Sequence, residues 1–212
     1  MDKNAVLKLK ELLKNKEFCE IVDGELLGDG CVEEKIDKKS GKRYHAFAYT
    51  SINKAYVEYL HSILAKYTTS RGHVYFRPAP EKHHFINGRE VIGKDAYGFS
   101  ITHKAFEQFY LRWYNSEEKH VPRDIELTPK VCLHWYIGDG SMDSDTPTIT
   151  MCTQSFGKSD HIFLIEKLAE QNIVSVMNID NEMKDQYVLR ISTVDLIRFL
   201  GYIEKCPVPS YE

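Results

Sequence analysis

Val22-Asp-Gly-Glu-Leu-Leu-Gly-Asp-Gly30 and Cys132-Leu-His-Trp-Tyr-Ile-Gly-Asp-Gly140 each close an apolar stretch with Gly-Asp-Gly, and the two copies stand 110 residues apart. Glycine suits the C-terminus of a helix. Aspartate there is electrostatically unfavourable, because the helix dipole already places partial negative charge at that end. The same penalty taken twice asks for a cation. Asp29 and Asp139, brought together with backbone carbonyls nearby, would make a hard-oxygen site suited to Mg²⁺. Gly24 and Gly28 are four apart on one helical face and allow close approach of a second helix. His134 and Trp135 break that pattern in the second copy, so the predicted interface is not made of glycine alone.

Around the two motifs the pattern repeats. A Lys/Leu-rich helix over 5–17 precedes the first motif helix, which starts near Phe18. A hairpin turning at Ser40-Gly41, a helix over 54–67, strands at 74–76 and 97–102 with a hairpin turn at Asn87-Gly88, and an aromatic helix over 103–114 follow. Residues 115–129 are polar and aperiodic and read as a linker. A second helix, strand, helix, strand pair and helix run from Val131 to Ile203. The predicted organisation is an N-terminal helix (1–17), a first half (18–114), the linker (115–129) and a second half (130–212). The aromatics Tyr56, Tyr59, Phe106, Phe109, Tyr110 and Trp113 follow helical spacing and belong to the core.

Composition narrows the function. With 42% hydrophobic and 28% charged residues in 212, the chain is of globular type. No apolar run approaches the ~18 residues of a membrane span, and the N-terminus lacks a signal-peptide pattern. An intracellular protein of a prokaryotic cytoplasm or an organelle is expected. The five cysteines form no C-x-x-C pair and are expected to be reduced thiols. The net charge of −3 conceals a split: between Cys31 and Lys104, thirteen Lys/Arg face seven Asp/Glu, and six of the nine histidines lie there. Such a surplus points to a surface for a polyanion.

The two quoted stretches resemble the motif that names the LAGLIDADG homing endonucleases, and the halves about a linker resemble that family's single-chain members. Thr148–Phe156, Asn53-Lys54-Ala55-Tyr56 and Leu127-Thr128-Pro129 are similar to further family segments. The resemblance implies an α+β fold of two pseudo-two-fold halves, with a central helix pair and antiparallel sheets forming a DNA-binding saddle. It implies a monomeric, site-specific double-strand DNA endonuclease that leaves 3′ overhangs and uses divalent metal held by Asp29, Asp139 and the Gly28 and Gly138 carbonyls. Lys119 falls where the family places a catalytic lysine. Gln154 resembles a water-positioning residue, with Ser51 its weaker counterpart, and Lys205 is the candidate for a second lysine.

On that resemblance, strand residues would read bases. Lys38, Lys42, Arg43, Arg71, Arg77, Lys82, Arg89 and Lys94 are the candidates. Two other functions fit the same fold: an intron-encoded maturase that binds RNA, and a catalytically silent DNA-binding protein.

Overall fold

The computed structural model describes residues 3–69, 72–80, 84–86, 89–91, 93–116, 118–143, 145–181 and 185–209. The first part of the chain holds α1 (Lys3–Lys14), α2 (Lys16–Leu27), β1 (Cys31–Ile36), β2 (Arg43–Ser51), α3 (Lys54–Thr68), β3 (Tyr75–Arg77), β4 (His84–Ile86), β5 (Arg89–Val91), β6 (Ala96–Thr102) and α4 (Ala105–Trp113). A short hairpin, β7 (Tyr114–Asn115) and β8 (Glu118–Lys119), leads to α5 (Pro129–Asp139). Then come β9 (Gly140–Met142), β10 (Ile149–Met151), α6 (Lys158–Glu170), β11 (Ser175–Asn181), β12 (Gln186–Ile191) and α7 (Thr193–Tyr202).

The strand orders are β1-β2-β6-β3 and β11-β12-β10-β9. These are one topology once β9, β10, β12 and β11 are matched to β1, β2, β6 and β3. All the pairings are antiparallel. The fold is therefore α+β with two repeated halves, and the first half adds the β4–β5 hairpin. The expected turn of that hairpin, Asn87-Gly88, lies outside the described residues.

Local chemistry sets the helix starts. The side chains of Asn15, Asn53 and Thr128 accept from the amides of Phe18, Tyr56 and Val131 at 2.9, 3.1 and 3.3 Å, and Pro129 fills the first helical position. Asn53–Tyr56 and Leu127–Pro129, singled out in the sequence, are thus helix caps. α2 buries Phe18, Ile21, Val22, Leu26 and Leu27, while α5 buries Val131, Cys132, Leu133, Trp135 and Ile137. Apolar residues around most of α5 suit a central helix, and α2 packs against it.

Tyr56, Phe106, Phe109 and Trp113 lie in the core as expected, whereas Tyr59 and Tyr110 are only partly buried against it. The segment after β8 is less loose than its composition suggested. Val121, Ile125 and Leu127 are buried, and Arg123 pairs with the buried Asp160 at 2.9 Å while lying over the Phe163 ring. Within α2, the buried Asp23 accepts two bonds from Arg112 (2.6 and 2.9 Å) and one from the Trp113 indole (2.9 Å). That anchor fixes the end of α4, and with it the hairpin carrying Lys119.

Candidate active site

α2 and α5 cross at their C-terminal ends. The Gly28 amide donates to the Glu25 and Gly24 carbonyls at 3.1 and 3.3 Å, and the Gly30 amide donates to Glu25 at 2.8 Å. A Cβ on Gly138 would stand 2.9 Å from the Asp29 nitrogen and 3.2 Å from Gly28 Cα; one on Gly28 would stand 3.3 Å from Gly138 Cα. Only glycine permits this approach. It makes Asp29 and Asp139 leave the crossing side by side.

Asp29 is exposed and Asp139 is half-buried. The surrounding protein still withdraws water from both. Desolvation, then repulsion by Glu25, pushes the Asp29 carboxyl up to about 6, against the attraction of Lys119. Desolvation, then repulsion by Asp29, pushes Asp139 up to about 7, again opposed by Lys119. Each shift marks an unfavourable negative charge that a cation would relieve.

Lys119 comes from β8, just past the left-handed Ser116. Its Nζ donates to the Gly30 carbonyl at 3.0 Å and the Gly28 carbonyl at 3.4 Å. The same ammonium stands 5.6 Å from the centre of the Phe156 ring, which belongs to the second half. Burial lowers it to about 8, with Asp139 the largest opposing influence. Lys119 thus lies beside the two aspartates. Lys205 follows α7, is exposed, and shares with Tyr136, Ile137, Gly140 and Leu200 the lining of a cavity of about 340 Å³.

Gln154 is placed differently. Its amide donates to Asp180 at 3.2 Å, and among the described residues no hydrogen bond ties it to Asp29, Asp139 or Lys119. The neighbour of Asp139 is instead Cys152, an exposed thiol whose amide donates to the Asp139 carbonyl at 2.9 Å. Ser51 Oγ accepts from the Asn53 amide at 3.3 Å, at the start of α3.

Strand alternation sorts the candidates for base reading. Val32, Phe47, Tyr49, Phe99 and Ile101 face the helices. Glu33, Lys35, Thr50, Tyr75 and Ser100 share the other face, where Lys35 donates to Ser100 at 3.4 Å and pairs with Glu33 at 2.7 Å. Arg43 shares the parity of Phe47 on β2, the helix side, and pairs with Glu34 at 2.9 Å. It is therefore not a groove-facing residue, because the period of two in β2 puts it on the wrong face. Lys38 and Lys42 are exposed in the β1–β2 turn, Arg77 is exposed at the end of β3 on the same face as Tyr75, and Lys94 is exposed just before β6. Arg71 and Lys82 lie outside the described residues, as does the Arg89 side chain, although Arg89 itself pairs with Ile86 in the β4–β5 hairpin.

Two groove-side cations had escaped the sequence reading. Lys35 is one. Arg190 is the other: it lies opposite Thr150 and Val176 on β12, half-buried, with its Nε buried and unpartnered among the described residues. The signal for both was the strand period itself, which places them on the face away from Ile101 and Leu189.

A sequence profile of the LAGLIDADG DNA endonuclease family matches residues 19–199. The chain belongs to that family. The LAGLIDADG fold is seen again in the homing endonuclease I-WcaI bound to its DNA recognition sequence, at TM-score 0.70 and 20% identity over 99% of this chain and 90% of that one. I-DmoI in complex with DNA and Mn has TM-score 0.56 and 15% identity, over 89% of this chain and 99% of that one. Uncharacterized protein MJ1098 of Methanocaldococcus jannaschii is 29% identical over 159 residues, 69% of this chain; the match spans about half (53%) of that relative.

The donor set of this LAGLIDADG site fits a hard divalent cation only in part by itself. Among the described residues no group of three or more His, Cys, Asp or Glu converges on one point. Two carboxylates and the neighbouring glycine carbonyls are what the crossing offers, and both carboxyls carry the charge strain that such a cation would relieve. The remaining oxygens would have to come from solvent or from a phosphate.

Proposed function

We propose that this chain is a monomeric, site-specific DNA endonuclease that cuts both strands of a duplex with divalent cations and leaves 3′ overhangs. One observation carries the reading: Asp29, Asp139 and Lys119, from three separate segments, meet where Gly28 and Gly138 touch. Family membership and the fold shared with DNA-bound homing endonucleases support it.

In this reading Asp29, Asp139 and the Gly28 and Gly138 carbonyls hold the cations, Mg²⁺ first and Mn²⁺ as substitute. When bound there, such cations would supply Lewis-acid activation of a water and charge stabilisation for a departing 3′ oxygen. Lys119 keeps its proton on Nζ at neutral pH while anchored to the Gly30 carbonyl, so it presents positive charge to a phosphate that is gaining negative charge. Phe156 walls that amine from solvent on the side of the second half. Lys35, Tyr75 and Ser100 on one sheet and Arg190 and Thr150 on the other offer donors to base edges. Exposed Lys38, Lys42, Arg77 and Lys94 supply phosphate contacts.

The test is selection of cleaved sites from a randomised duplex library, followed by the same assay with Asp29→Asn and Asp139→Asn. Each variant should lose cleavage by about a hundredfold or more yet bind the selected duplex in Ca²⁺ as the parent does. Normal cutting by both variants refutes the assignment.

A further inference from the structure

Glu25 is fully buried, one turn before Asp29. Its Oε1 accepts from the Tyr56 hydroxyl and lies 2.7 Å from His134 Nδ1, and the Tyr56 oxygen lies 2.7 Å from the same nitrogen. Oε2 is buried without a hydrogen-bond partner among the described residues. The three side chains come from α2, α3 and α5, so they join both halves. His134 occupies space that Gly24 leaves open, since a Cβ on Gly24 would come within 2.6 Å of His134 Cβ.

A buried carboxylate with one oxygen unanswered is an expensive way to fill a core, and apolar residues of equal volume commonly do as well or better. Packing therefore does not account for Glu25. What directional polar contacts add is register. The glycine contact between Gly28 and Gly138 sets how closely the helices approach but supplies no directional bond between them. A shift by one residue moves a helix by about 1.5 Å and turns it by about 100°, which would break the Glu25–His134 contact together with the Tyr56 contact to whichever helix moves. Asp29 lies four residues beyond Glu25, and Asp139 five beyond His134. Whatever fixes the register of the two helices also fixes where the two carboxylates end up.

We propose that Glu25, Tyr56 and His134 are positioning residues: a buried three-way contact that locks α2 against α5 and so sets the separation of Asp29 and Asp139. The use made of that separation rests on the nuclease reading; the lock itself does not.

Tyr56→Phe removes one hydroxyl and keeps the ring, and Glu25→Gln keeps the shape. Leu168→Ala, in the core of α6, serves as a control for general loosening. For each, the measurements are the thermal midpoint, affinity for the selected duplex in Ca²⁺, the single-turnover cleavage rate, and the electron paramagnetic resonance spectrum of Mn²⁺ in the protein–duplex complex. That spectrum responds to the distance between two bound ions. Tyr56→Phe and Glu25→Gln should bind duplex within about threefold of the parent, cleave at least about tenfold more slowly, and show altered Mn–Mn coupling. Leu168→Ala should lower the midpoint and leave the coupling alone. Parental coupling in both lock variants, or equal change in the control, overturns the proposal. A parent chain that shows the coupling but cuts no duplex sinks the nuclease reading while leaving the lock testable by the spectrum.

Discussion

Gly138 leaves room for the backbone of Asp29: a methyl group on it would stand 2.9 Å from the Asp29 nitrogen. Gly138→Ala must therefore push α2 and α5 apart at the point where the two aspartates emerge. Overpacking of this kind costs about 1–3 kcal/mol. The expected result is a lower thermal midpoint together with a loss of cleavage larger than the loss of folded protein explains. Gly201→Ala, exposed on α7 where a Cβ meets nothing within 4 Å, is the control and should leave cleavage unchanged without lowering the midpoint.

Without cations the aspartates should destabilise the chain, and pH should show it. Asp29 and Asp139 are raised to about 6 and about 7 from 3.8. The folded state thus binds protons that the unfolded state has released, and stability falls as pH rises from about 4 to about 7. Lys119 is lowered to about 8 from 10.5. The folded state there binds fewer protons than the unfolded, so stability recovers between about 8 and 10. A melting curve in EDTA should show these groups adding a trough near pH 7–8. Asp139→Asn should raise the midpoint at pH 8 by an amount worth about 1 kcal/mol, after discounting for its partial exposure. The gain should vanish at pH 4. An equal gain at both pH values would contradict the shifts.

Lys119→Met removes the ammonium from Gly30 and from the Phe156 ring. If the amine stabilises charge on the reacting phosphate, single-turnover cleavage should fall by about 10²–10³-fold with duplex affinity in Ca²⁺ nearly unchanged. A matched fall in affinity would make Lys119 a phosphate-binding residue only.

Specificity should divide by strand face. Arg190→Ala should relax the base preference at one position of the selected site and cost about 1–3 kcal/mol in discrimination, and Lys35→Ala should do so in the other half-site. Arg43→Ala, on the helix side of β2, should leave the selected sequence as it was. Site selection repeated with each variant reads the outcome directly.

The repeat of Gly-Asp-Gly after an apolar stretch was enough to read the two halves, the helix crossing and Asp29 and Asp139, because glycine spacing and a misplaced charge are local signals. Lys119 was legible only through the family resemblance, since nothing in its neighbours says that a hairpin after α4 will carry it back to Gly30. Glu25 could not be recognised as a buried group, because its partners Tyr56 and His134 come from segments far along the chain. Arg43 was misjudged for a simpler reason. Its charge alone does not reveal which parity of the strand Phe47 claims for the core. Gln154 shows the same limit, as its hydrogen-bond partner, Asp180, arrives from β11.

The buried Val121, Ile125 and Leu127 have a practical consequence for recombining this chain with its relatives. A chimera joined midway through residues 120–128 would mate apolar side chains from one parent with a cavity shaped by the other. Exchanges of a half should therefore carry this whole strap, from Tyr114 to Thr128, with the parent that supplies Asp160 and Phe163.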